Sequence, residues 1–300
     1  MLLNATNLRS LFIGYNTSFA NGLGMAASTY ERVAMRVPST TRSQEYGWLG
    51  QMPRIREWIG ERVIQSLNVY GYTIRNRPWE LTVSVDRDDI EDDNIGIYAP
   101  LFTEMGRATG AFPDELVWPL LSAGFATPCY DGQYFFDTDH PVLDANGQIA
   151  SVSNFGGGTG VAWYLIDQSR GYKPLIFQDR RAFDFIRMDA PTDEVVFDRK
   201  QYRYGIDGRC NAGYGFWQIA YASKQGLDSA GYGAARYAMQ NLRADYGRPL
   251  GLLAGAKPLL VVPPTLEAQA RTLLNAERDA AGATNIWRDT ADLLITPWLA

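Results

Sequence analysis

Between Gly47 and Val85 the chain reads GWLGQMPRIREWIGERVIQSLNVYGYTIRNRPWELTVSV. No other stretch constrains the fold as much. Residues 53–66 predict a short amphipathic helix: Pro53 is placed to start it, and Ile55, Trp58, Ile59 and Arg62 fall at helical spacing. The period then changes to two. Trp79, Leu81, Val83 and Val85 face one way, and Glu80, Thr82, Ser84 and Asp86 face the other, the pattern of a half-buried strand. Val69–Ile74 is the nearest hairpin partner, with a break over Asn76–Pro78. A two-stranded ribbon is marginal alone in water. Its apolar side needs a third surface, and nothing adjacent in sequence supplies one. The stretch therefore predicts a ribbon that finds its cover elsewhere.

Composition allows a real core and narrows the function. Of 300 residues 46% are hydrophobic and 20% charged, ordinary for a globular chain of one large or two smaller domains. The net charge of −5 argues against a dedicated nucleic-acid binder. Lysine occurs at 173, 200, 224 and 257, so 24 of the 28 basic residues are arginine. Arginine suits interfacial ion pairs because its fork bonds carboxylates bidentately, although an arginine-rich genome gives the same count. Cys129 and Cys210 are too few and too far apart for a disulfide framework and lack metal-ligand spacing, which fits a reducing compartment. The N-terminus does not read as a signal peptide, and no apolar run is long enough to span a membrane.

Residues 4–22 predict a helix capped by Asn4 or Thr6, striped by Leu8, Leu11, Phe12 and Tyr15, and ended by Gly22 and Gly24. Residues 38–47 read as an exposed connector. After the acidic run DRDDIEDD (86–93) a helical pattern continues to about residue 125, with Pro100, Pro113 and Pro119 expected to interrupt or kink it. Residues 130–141 read as a hairpin or tight loop, and NFGGGTG (154–160) as a flexible loop. VAWYLID, PLIFQ, EVVF, YRYGID, GFWQIAYAS, PLLVVP and ADLLITPWL read as strands. Residues 234–247 and 265–282 read as helices. The fold class is α+β without regular βαβ alternation and without internal repeats.

A search for chemistry returns little. DRDDIEDD is too dense in carboxylates, and lacks the turn glycine, for a calcium loop; it suits a helix start or ion pairing between subunits. FDTDHP sets Asp137 and Asp139 beside His140, the one histidine, but no nucleophile motif accompanies them. GGGTG lacks the Gly-Lys-Ser/Thr ending of a phosphate loop, and GYGAAR lacks the third glycine of a dinucleotide fingerprint. The aromatic segment YGIDGRCNAGYGFWQIAYAS has too few basic neighbours for a base-stacking platform. No catalytic residue, cofactor or metal site is assigned. A hydrolase built on Asp137, Asp139 and His140, or an aromatic-rich carbohydrate-binding module, stays open as the alternative to a structural role.

Four long blocks carry a resemblance. WLGQMPRIREWIGERVIQSLNVYGYTIRNRPWELTVSVDRDDIEDD comes first. YAPLFTEMGRATGAFPDELVWPLLSAGF follows, with DGQYFFDTDHP after it. Then come WYLIDQSRGYKPLIFQDRR with YGIDGRCNAGYGFWQIAYAS, and GRPLGLLAGAKPLLVVPPTLEAQARTLL leading to ADLLITPWL. In that order, and over nearly the whole chain, they resemble the Mu-like prophage major head subunits. These are tailed-phage major capsid proteins of the Hong Kong 97-type fold. The resemblance implies an N-terminal arm over 1–45, an extended loop over 46–86, and a spine helix with peripheral domain over 87–150. It implies a mostly axial domain over 151–290 and a C-terminal strand over 291–300 returning to the peripheral domain. It implies hexamers and pentamers closing an icosahedral shell around double-stranded DNA, with portal, scaffold and cement proteins as partners and no membrane.

On that reading Trp48, Trp58, Ile59 and Trp79 are apolar anchors across the joint between subunits. Arg54, Arg56, Arg62, Arg75 and Arg77 are donors to carboxylates, with Asp86, Asp88, Asp89, Glu91, Asp92 and Asp93 as one acceptor surface. Some shells of this type are crosslinked through a loop lysine; no lysine occurs from Gly47 to Val85, so that crosslink is not expected.

Overall fold

Asn4 begins the first helix as expected: its side-chain oxygen accepts the Asn7 N–H at 2.8 Å, and the backbone turns helical at Ala5. A computed structural model of the chain describes residues 4–49, 71–92, 95–190, 192–279 and 281–300. Helix α1 (Ala5–Met25) buries Leu8, Leu11, Tyr15 and Phe19 along one stripe. Strands β1 (Ala34–Pro38), β2 (Ser43–Glu45), β3 (Thr73–Arg75) and β4 (Arg77–Asp86) follow, then the short helix α2 (Arg87–Glu91) and the long helix α3 (Ala99–Ala123).

Helices α1 and α3 meet backbone to backbone. A Cβ on Gly22 would stand 1.8 Å from the Thr103 carbonyl oxygen, and one on Gly106 would stand 2.0 Å from that of Phe19. No other residue type fits there. The close crossing lets Tyr15 stack on Phe102 with ring centroids 4.3 Å apart.

Helix α3 corrects one expectation. It runs unbroken through 25 residues, about 38 Å, with Pro113 and Pro119 inside it. Pro100 sits in the first turn, where a missing N–H costs nothing. Each interior proline costs about 3 kcal/mol in a free helix. Burial of Phe102, Met105, Val117, Trp118 and Leu121 offsets that cost, because most helical stability in proteins comes from packing. Buried Asp114 adds a tie: it accepts the Thr29 N–H at 3.0 Å and the Trp118 indole N–H at 2.8 Å.

The remaining strands are β5 (His140–Leu143), β6 (Ile149–Val152), β7 (Phe155–Gly158), β8 (Trp163–Ile166) and β9 (Leu175–Met188), followed by helix α4 (Glu194–Arg199). Next come β10 (Gln201–Tyr214), β11 (Ala220–Lys224), helix α5 (Ser229–Asn241), β12 (Arg243–Ala244) and β13 (Arg248–Pro249). The chain closes with β14 (Leu259–Val262), helix α6 (Glu267–Asn275) and β15 (Asp292–Ile295). Two sheets organise them, one in the order β1-β9-β10-β4 and one in the order β15-β14-β8-β11-β7. The larger core surrounds the five-stranded sheet, with the second half of α3 and residues of α5 and α6. A smaller core lies where α1 and the first half of α3 cover β4 and β10. The final strand pairs in parallel with β14, and the turn after it, Pro297–Leu299, packs on α3.

The strand at 77–86 and its two faces are as the alternation predicts, but its partner is not. Residues 73–75 pair with Ser43–Glu45, so part of the expected connector 38–47 is a strand and Tyr46 within it is buried. Strand β4 pairs instead with β10, from Arg77 opposite Cys210 to Asp86 opposite Gln201. Its apolar face is covered in part by its own chain: Val85 is fully buried in the smaller core and Trp79 lies edge-on to Phe112 of α3 at 4.9 Å, while Leu81 between them stays 41% exposed. The expectation that this strand lacks cover fails because periodicity reports a buried face and not what buries it.

Other local readings shift for similar reasons. NFGGGTG forms edge strand β7. Gly158, at φ +93°, sits where a Cβ would be 2.4 Å from the backbone of Lys224, an approach only glycine permits. EVVF is helix α4, with Val196 pointing into the smaller core. The helix expected to end at Gly282 stops at Asn275, where the Asn285 amide donates to the carbonyls of Leu273 and Ala276.

Gly106→Ala is expected to lower the unfolding free energy by about 1–3 kcal/mol through overpacking. Gly24→Ala, in helix α1 with nothing within 4 Å of the added Cβ, is the near-neutral control. Urea unfolding followed by circular dichroism measures both; equal midpoints for wild type and Gly106→Ala would refute the backbone-contact account.

Candidate assembly surfaces

The residues expected at subunit joints fall into three groups. Arg54, Arg56, Trp58, Ile59, Arg62 and Asp93 lie outside the described residues. The two remaining tryptophans rest on their own chain. Trp48 is 40% exposed, with its other side against Phe216 at 5.6 Å and Tyr172 at 6.2 Å. Trp79 is half-buried on Phe112 and donates its indole N–H to the Cys210 carbonyl at 3.1 Å. As anchors for a neighbour, both have less free surface than the sequence suggests.

The charged residues are more open. Arg75 and Arg77 are exposed, and neither has a carboxylate within 4.0 Å among the described residues. At the far end of β4, Asp86 caps α2 by accepting the Asp88 N–H at 2.8 Å. Asp88 stands 4.0 Å from the Lys200 ammonium, Asp89 accepts from the Tyr98 hydroxyl, Glu91 pairs with Arg87 at 2.9 Å, and Asp92 closes the helix. The acidic run is thus a helix start, and the structure does not bring it to Arg75 or Arg77 within one chain.

A buried polar network ties residues 39–46 to residues 74–76 and to β9. The Tyr46 hydroxyl donates to Gln178 Oε1 at 2.8 Å. The Gln178 amide donates to Asn76 Oδ1 at 2.7 Å and to the Ile74 carbonyl at 3.2 Å. Asn76 Nδ2 donates in turn to Ser39 Oγ at 3.0 Å and to the Thr41 carbonyl at 2.8 Å. Gln178 is fully buried, and burial pushes the Tyr46 hydroxyl above the usual phenol range. A satisfied network of this kind specifies one geometry. Sequence reasoning missed it, since Asn76 read as a break and Gln178 as the polar end of a strand.

The Asp137, Asp139 and His140 turn does not form a catalytic group. His140 is fully buried and stacked on Trp217 at 3.8 Å. Its Nδ1 faces Asp131 at 2.7 Å, and its Nε2 faces Asn154 Oδ1 at 3.2 Å. Asp137 instead accepts the N–H groups of Tyr134 and Thr138. Both ring nitrogens are occupied and no substrate reaches them. Cys129, Asp131 and His140 place their donor atoms within 4.8 Å of one another, yet hydrogen bonds among them already engage all three. Burial raises the Cys129 thiol, which donates to Asp131 at 3.0 Å. This is a buried polar joint between the turn, β7 and the segment before β11.

Burial by itself would raise the Asp131 carboxyl. Hydrogen bonds from His140 and Cys129 outweigh it and hold the group below the ordinary aspartate value. A depressed folded-state value contributes stability that is fully present above the unfolded value, about 3.9, and is lost as pH falls from there through the lower folded-state value. Asp131→Asn is therefore expected to lower stability at pH 7 and to flatten the acid limb of a stability–pH curve. Parallel acid limbs in thermal melts from pH 7 to pH 3 would contradict this.

Comparison with known proteins identifies the surfaces. Residues 8–299 match the family described as Mu-like prophage major head subunit gpT. The Mu-like prophage FluMu major head subunit of Haemophilus influenzae is 46% identical over 279 residues, covering 90% of this chain and 89% of that one. The major capsid protein of Escherichia phage Mu is 43% identical over 293 residues, covering 95% of each. Among solved structures, a chain of the bacteriophage JBD30 procapsid superimposes with a TM-score of 0.87 at 48% identity, over 99% of this chain and 100% of that chain. A JBD30 capsid chain gives 0.78 at 38% identity, over 93% of each. The α+β fold is thus the Hong Kong 97-type fold of phage capsid subunits, and the hydrolase and carbohydrate-binding alternatives find no support. The chain belongs to the Mu-like prophage major head subunit family, whose members are structural capsid subunits and not enzymes.

Proposed function

We propose that copies of this chain assemble as hexamers and pentamers into the icosahedral head of a Mu-like tailed phage, enclosing double-stranded DNA. The observation that carries this reading is the match, over essentially the whole chain, to a subunit taken from a procapsid. The surface supports it. The chain exposes 16184 Å², against roughly 13,000 Å² for a compact monomer of its mass. Large apolar side chains stand in solvent, among them Ile13, Met25, Leu81, Phe197 and Tyr237. Subunits in a shell bury well beyond the few thousand Å² of an ordinary obligate interface. A net charge of −5 suits a container that must not grip polyphosphate.

In this reading residues 1–45 are the arm, with α1 docked along α3, and 46–86 are the loop that reaches a neighbour from the root clamped by Gln178 and Asn76. Residues 87–150 hold the spine helix α3 and the peripheral domain; 151–290 are mostly axial, and 291–300 return to the peripheral domain. Portal, scaffold and cement proteins complete the head, which assembles in the bacterial cytoplasm. A JBD30 capsid decorated with minor capsid protein trimers, whose chain superimposes at a TM-score of 0.76, is the parallel for the cement proteins.

Negative-stain microscopy and size-exclusion of the purified chain test the assembly: rings, tubes or shells are expected, and a stable 33 kDa monomer would refute it. Trp58→Ala is expected to reduce assembled particles while leaving the circular dichroism spectrum unchanged. Normal assembly of that folded variant would remove Trp58 from the anchors.

A further inference from the structure

The strand β4 separates two opposite charges. At its start, Arg75 and Arg77 border a cleft of about 420 Å³ walled by Tyr72, Pro78 and Asn211. Neither arginine has a carboxylate within 4.0 Å among the described residues. The cleft is rigid, because Ile74 and Asn76 beneath it are buried and bonded to Gln178. At the other end, α2 crowds Asp86, Asp88, Asp89, Glu91 and Asp92 into one exposed turn, with Asp88 65% exposed and Glu91 43% exposed.

These two patches do not meet within a chain. Strand β4 has 10 residues. At about 3.3 Å per residue its ends stand roughly 30 Å apart. That is nearly four Debye lengths of about 8 Å at physiological salt. The intrachain ladder with β10 holds them there.

We propose that the arginine-bordered cleft is the docking site for the acidic α2 turn of a second copy of this chain. The proposal rests on the assembly reading above and adds which surfaces meet. Each copy carries both halves at opposite ends of one rigid strand, so the contact is heterologous and runs head to tail, the kind of contact that closes rings. The guanidinium forks of Arg75 and Arg77 bond carboxylates bidentately, and the pairing relieves the mutual repulsion of the crowded α2 carboxylates.

Charge reversal with rescue tests it. Arg75→Glu with Arg77→Glu, and separately Asp88→Lys with Asp92→Lys, leave the Asp86 cap intact and are checked for folding by circular dichroism. Each pair alone is expected to cut assembled particles roughly ten-fold or more, and all four substitutions in one chain to restore most of the loss. Should Asp88→Lys with Asp92→Lys fail to fold, Asp92→Lys alone takes its place. The proposal is overturned if a folded reversed variant assembles like wild type, or if the fourfold variant assembles no better than either pair. In both cases wild-type particles still form and the shell reading stands; a wild-type chain that stays monomeric would overturn both.

Discussion

The antiparallel ladder between β4 and β10 is the contact on which the rest of the subunit depends. It runs from Arg77–Cys210 to Asp86–Gln201, so β4 is tied along its whole length to an interior strand of its sheet. The ladder carries Trp79 onto Phe112 and Val85 into the smaller core, which couples β4 to α3. It also holds an arginine cluster and an acidic turn at fixed positions on opposite ends. Without it the ribbon would have one apolar face in water and no defined direction.

Two further devices stiffen the body. The glycine contacts between α1 and α3 bring two backbones together, with no side chain between them to rearrange. The network of Tyr46, Gln178, Asn76 and Ser39 fixes residues 39–46 against residues 74–76 through buried, directional bonds. A shell subunit needs such rigidity where it is gripped, because ring closure tolerates little angular error over many repeats.

Parts of the fold were plain in the residues. The stripe of α1, the faces of β4 and the apolar run of β14 follow from spacing alone. The long blocks shared with the capsid family indicated the fold class and the role. The search for chemistry assigned no active site, and the family is one of structural capsid subunits; His140 is fully buried, with both nitrogens engaged by Asp131 and Asn154. Of the expected joint residues that are described, Arg75 and Arg77 are exposed with no carboxylate partner among the described residues, whereas Trp48 and Trp79 are partly taken by intrachain contacts.

Sequence alone determined which faces are apolar, where most elements lie, and that the chain is an α+β capsid subunit; those are properties of local spacing and of extended similarity. Tertiary structure decided what each face meets. It paired β4 with β10, carried α3 unbroken through two prolines, turned EVVF into a helix, and buried the FDTDHP histidine. The physical reason is the same each time. Local pattern sets a preference worth about a kcal/mol per residue, and burial against a distant segment, which no short window contains, is worth several.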